Sequence, residues 1–153
     1  MSSYEEKVAK ILNEQKVKYN REQTFKNLKN GLYRFDFYLP EQNILIEVDG
    51  QQHLAFSKVF YKSRADFLKA RERDRQKNAY ALAHKIPLYR IPYYDMDYIK
   101  TYEDLFKDEY LVNSIYHNDK IRKERRLNDD IRTNISRIRL GANSNKHHLT
   151  YKN

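Results

Sequence analysis

The chain has no cysteine, which excludes disulfides and thiolate zinc sites and fits an intracellular protein. It has no apolar run approaching the roughly 20 residues that a membrane span needs. Residues 1–20 are too charged for a secretory signal, so a soluble, cytoplasmic protein with no membrane partner is expected. Internal repeats and low-complexity segments are also missing. What is present is 153 residues, 40% of them hydrophobic, enough for the core of one compact domain with room for an appendage.

The net charge of +9 is unevenly placed. Residues 120–153 hold ten Lys/Arg against three Asp/Glu, a net of +7, which leaves 20 against 18, or +2, for residues 1–119. The expected organisation is therefore a domain over 1–119 and a basic extension over 120–153. In the extension Leu127, Ile131, Ile135 and Ile138 recur every three or four residues, predicting a helix. Arg125, Arg126, Arg132, Arg137 and Arg139 fall on its other faces, with Arg122 and Lys123 just before it. A localised positive surface suits a polyanion, because neutralising phosphates releases condensed counterions. The alternative is a charged helix that only solubilises the chain.

Two short segments concentrate the acids. Tyr33-Arg34-Phe35-Asp36-Phe37-Tyr38-Leu39 and Ile44-Leu45-Ile46-Glu47-Val48-Asp49-Gly50 predict two strands joined through residues 40–43. Side chains alternate between the faces of a strand, so Arg34, Asp36 and Tyr38 share one face, and Glu47 and Asp49 share one with Leu45. Antiparallel pairing can then bring Asp36 beside Glu47 and Asp49, with His53 following closely.

Around this hairpin the remaining elements read as follows. Ser3 and Glu6 form a Ser-x-x-Glu capping pattern before Tyr4, Val8, Ile11 and Leu12, predicting a helix over 4–15 in which Glu5 is left free to face a site. Val17 and Tyr19 suggest a short strand. Residues 64–85 predict a long, densely charged helix with Asp74, Lys77, Asn78 and Ala81 along one stripe. A strand follows over 87–93, and a helix between strands is the mark of a crossover, hence a mixed sheet with parallel pairing. Thr101 and Asp104 predict one further helix through Leu105, Phe106, Leu111 and Ile115. The fold class expected is α/β, a central mixed sheet flanked by helices.

Carboxylates gathered near a buried sheet repel one another unless a cation compensates them. Magnesium or manganese is the natural partner of oxygen ligands, and a bound metal with a basic surface points to phosphodiester chemistry. Solvated, outward-facing acids are the alternative.

Arg-Phe-Asp-Phe at 34–37, Ile-Glu-Val-Asp-Gly-Gln-Gln-His at 46–53, Arg-Asp-Arg-Gln-Lys-Asn at 73–78 and Tyr-Arg-Ile-Pro-Tyr at 89–93 together resemble the PD-(D/E)xK nuclease superfamily. The nearest branch is that of the very short patch repair endonucleases and their phage-encoded relatives, and the resemblance covers residues 4–99. It implies a restriction-endonuclease-like fold and magnesium-dependent cleavage of DNA, manganese being the substitute ion, in the cytoplasm of a bacterial host if the protein is phage-encoded. Asp36, Glu47 and Asp49 would hold the metal, and Glu5 would match the first-helix glutamate. The D/E-x-K lysine is absent, because Asp49 stands two residues after Glu47, so His53 becomes the candidate for proton transfer. Lys77 would stabilise developing charge, while Arg34, Arg73 and Arg75 join the C-terminal basic residues in contacting phosphates. Double-strand cleavage would call for a homodimer. The rival readings are a catalytically inactive nuclease fold that binds DNA or protein, and an RNA nuclease.

Overall fold

In the computed structural model of the chain, residues 2–50, 63–121, 123, 131, 134, 135, 137 and 138 are described. Helix α1 (Ser3–Glu14) starts at Ser2, whose Oγ accepts the Glu5 N–H at 3.2 Å and donates to Glu5 Oε2 at 3.2 Å. The capping pair is therefore Ser2 and Glu5, one residue earlier than Ser3 and Glu6. Two consecutive serines and two consecutive glutamates offer both registers, and the backbone selects the first. At the other end Lys16 adopts a left-handed φ of 59°, and Val17 N–H returns to the Leu12 carbonyl at 3.0 Å, closing the last turn.

Four strands follow the order β1 (Asn20–Thr24), β2 (Arg34–Leu39), β3 (Ile44–Asp49), β4 (Leu88–Pro92) across one sheet. The first three pair antiparallel, while β3 and β4 pair parallel. Helix α2 (Arg64–Ala83) makes the crossover that parallel pairing requires, so the expected mixed α/β sheet is the one observed. Ser63 caps α2 by accepting the Asp66 N–H at 3.2 Å. Lys85, at φ 56°, ends it.

The sheet separates two hydrophobic clusters. Val8, Ile11 and Leu12 of α1 pack with Phe37, Leu39, Ile46, Val48 and Ile91. Tyr80 and Ala81 of α2 pack with Phe35, Leu45 and Leu88. Val112 also joins that second cluster, and its N–H donates to the Leu88 carbonyl at 2.9 Å. Leu111 bridges Tyr89, so residues 111 and 112 run along the outer side of β4.

The helix expected from 101 to 115 does not form. Short 3-10 turns stand there instead, Glu103–Phe106 and Asp108–Tyr110. Asp104 Oδ2 accepts the N–H groups of Lys100 at 2.8 Å and Thr101 at 3.0 Å, and such local side-chain bonds favour turns over a continuing helix.

The chain divides into two compact units, Met1–Asn118 and Asp119–Asn153. In the second, the described residues 131, 134, 135, 137 and 138 are helical. Ile131, Ile135 and Ile138, three members of the apolar stripe, are exposed.

Candidate active site

The site is built where regular pairing of β2 fails on both sides. The β2–β3 pairs are Leu39↔Ile44, Tyr38↔Leu45 and Phe37↔Ile46. Beyond them side chains replace the backbone ladder: Glu47 Oε1 accepts the Asp36 N–H at 3.1 Å, and Asp36 Oδ2 accepts the Val48 N–H at 2.8 Å. Each strand's carboxylate thus satisfies the other strand's backbone. On the β1 side the register passes from Arg21↔Phe37 to Gln23↔Phe35, over Glu22 and Asp36, which stand opposite one another. Glu22 has a φ of 53°, a left-handed conformation that costs a non-glycine residue about 1–2 kcal/mol. The alternation of faces also switches here, since Phe35 joins the α2-side cluster and Phe37 the α1-side one.

This distortion gathers carboxylates from three elements. Oxygens of Glu5 (α1), Glu22 (β1) and Asp36 (β2) lie within 4.8 Å of one another. Asp36 is strongly perturbed: burial, then repulsion from Glu47 and Glu5, push its pKa to about 8 against the pull of the Val48 N–H and Lys77. Glu5 also faces the Arg21 guanidinium at 3.7 Å, and Arg21 reaches Glu6 at the same distance. Three hard oxygen donors, one of them a carboxyl whose charged form burial and its acidic neighbours disfavour, fit a divalent cation such as magnesium, which binds oxygens at roughly 2.0–2.1 Å.

Lys77 reaches the site from α2. Its Nζ lies 2.8 Å from Glu47 Oε1 and 4.9 Å from the centre of the Phe35 ring, with the lysine 6% and the glutamate 3% exposed. The helical stripe through Asp74, Lys77, Asn78 and Ala81 is buried, which its spacing alone does not indicate. So a lysine does stand on the Glu47 carboxylate, brought by a helix 30 residues later in the chain.

Asp49 requires a correction. It shares the Glu47 face, yet it does not join the acids around Asp36: its Oδ1 takes the Arg90 Nη1 at 2.8 Å and its Oδ2 the Asn118 Nδ2 at 2.9 Å. Arg90 comes from β4, a partner that no local pattern assigns to Asp49. The acid that takes a place beside Asp36 is Glu22, which no sequence pattern singles out. Asn20–Thr24 is wholly polar, so its strand leaves no hydrophobic alternation, and no residue type there signals a positive φ. Glu5, read as free of structural duties, both closes the α1 cap and enters the acid group.

Other candidates are scattered. Arg34 and Arg73 are exposed. Arg75 lies 3.8 Å from Glu72, and its guanidinium sits 5.3 Å from the Tyr116 ring centre. Lys123 and Arg137 are exposed, whereas His53, Arg122, Arg125, Arg126, Arg132 and Arg139 lie outside the described residues. No helix among the described residues is long and apolar enough to cross a membrane. No family model matches the chain, and searches of curated proteins and of solved structures return no match.

Proposed function

We propose that this chain is a magnesium-dependent endodeoxyribonuclease with a restriction-endonuclease-like fold, of the PD-(D/E)xK kind. The observation that carries this reading is the break at Asp36, where Glu5, Glu22 and Asp36 converge beside a buried Lys77–Glu47 ion pair. A purely structural site has little use for a carboxyl raised to about 8 next to three other acids. A cation-binding site has that need built in.

In this reading Glu5, Glu22 and Asp36 hold the ion, with Glu47 supporting from the neighbouring strand. Bound magnesium supplies Lewis acidity toward a phosphoryl oxygen and lowers the pKa of a bound water. Lys77 fixes the Glu47 carboxylate and carries positive charge to the side of the site where a phosphate would develop negative charge. It does spatially what the missing lysine at position 49 would do in sequence. His53 keeps the proton-transfer role proposed for it. The ten Lys/Arg of residues 120–153 grip the phosphate backbone, adding affinity without reading sequence.

The test is incubation of supercoiled plasmid, and of matched DNA and RNA oligonucleotides, with the full chain in magnesium, in manganese and in chelator. Metal-dependent DNA cleavage that vanishes in Asp36→Ala is expected. Equal behaviour of both proteins in every metal refutes the enzyme reading, and cleavage confined to RNA replaces the substrate.

A further inference from the structure

Arg90 is wholly buried in β4 and stands beside Glu47 in the parallel register of β3 and β4. It does not ion-pair with that neighbour. Its Nη1 donates to Asp49 Oδ1 at 2.8 Å, its Nε to Asn78 Oδ1 at 2.7 Å, and its Nη2 lies 3.7 Å from Asp74 Oδ1. Asp49 is itself held from behind, because Asn118 Nδ2 donates to its second oxygen at 2.9 Å and Asn118 Oδ1 accepts from Asn78 Nδ2 at 3.4 Å. None of Arg90, Asp49, Asp74, Asn78 and Asn118 is more than 5% exposed.

A guanidinium is a rigid planar fork that stays charged, so its direction decides which carboxylates it serves. Glu47 lies on the adjacent strand, on the same face, and carries only Lys77 as a cationic partner among the ion pairs of the described residues. Two cations therefore stand near one catalytic-side carboxylate, and Asp49 engages one of them. We infer that Asp49, braced by Asn118, is a positioning residue that keeps the Arg90 fork turned away from Glu47, so that the Glu47 carboxylate stays with Lys77 and the Asp36 backbone. Its consequence for cleavage rests on the nuclease reading, while the contact itself does not.

Removing the Asp49 charge frees the fork to take Glu47 and displace Lys77. Asp49→Asn in the full-length chain is expected to lower kcat by about 10- to 100-fold. The magnesium concentration for half-maximal rate is expected to stay unchanged, because the proposed ion is held by Glu5, Glu22 and Asp36. In parallel, the nitrogen-15 resonance of the Lys77 ammonium, kept from exchange by its bond to Glu47, is expected to disappear in the variant. A rise of about tenfold or more in the magnesium midpoint would make Asp49 a metal ligand and overturn the inference. An unchanged kcat with an unchanged Lys77 resonance would overturn it as well. Should Asp49→Asn fail to fold, Asn118→Ala leaves both charges in place and is expected to act in the same direction by a few-fold, again at constant midpoint; no change in either readout counts against the inference. If the wild-type chain does not cleave, the nuclease reading fails, and the Lys77 resonance alone decides the positioning role.

Discussion

Replacing Asp36 by asparagine tests the electrostatic cost of the site directly. The carboxyl has a folded pKa of about 8 against an ordinary value of 3.8, with burial the first cause and Glu47 the second. A raised acid means the folded protein binds a proton that the unfolded chain has already lost, so stability falls as pH rises between those two values. Below 3.8 both states are protonated and nothing is lost; above 8 both are ionised and the full loss applies. A shift of roughly four units corresponds to about 6 kcal/mol as an upper bound. Relaxation and residual hydration of a half-buried group bring the expected figure to roughly 2–4 kcal/mol, a large share of the 5–15 kcal/mol typical of a domain. Asparagine keeps the shape, can still accept the Val48 N–H, and carries no charge. Urea unfolding of both proteins across pH should therefore find Asp36→Asn more stable by a margin that grows from near zero at pH 4 to its full size at pH 9. Magnesium at pH 8 should stabilise the wild type and not the variant, since only the ionised carboxylate binds it. A pH-independent difference, or a variant less stable at pH 9, would refute the assigned cause. Greater stability with lost cleavage is the signature of a functional site rather than a structural one.

Further outcomes follow from individual side chains. Lys77→Met leaves Glu47 buried without its cation and should cost about 3–5 kcal/mol by denaturant titration at pH 8; a loss under about 1 kcal/mol would show that the ion pair does not hold the site together. Glu22→Gly should be more stable than Glu22→Ala by about 1 kcal/mol, because glycine tolerates the left-handed φ that strains alanine, while both weaken manganese binding measured by calorimetry. Replacing the exposed Lys123 and Arg137 by glutamine should weaken DNA binding and reduce the slope of log affinity against log salt by about 1 for each phosphate no longer neutralised; an unchanged slope removes them from the interface.

Local patterns determined much of the framework. The alternation in 34–39 and 44–49 was enough to foresee two antiparallel strands, and the helical stretch between Asp49 and Leu88 was enough to foresee a crossover and a parallel pair. The spacing of Asp74, Lys77 and Asn78 placed them on one stripe, and the packing of the helix buried it. These features depend on neighbours within a few residues, or on the period of the backbone. The partners across the sheet do not. Only the tertiary structure decided that Asp49 serves Arg90, that Lys77 serves Glu47, and that Glu22 turns toward Asp36 through a strained backbone. An acid in a strand is chemically the same residue whether it meets a metal, an arginine or water. Which of these it meets is set by chains that arrive 30 or 41 residues later, and by where a ladder of hydrogen bonds gives way.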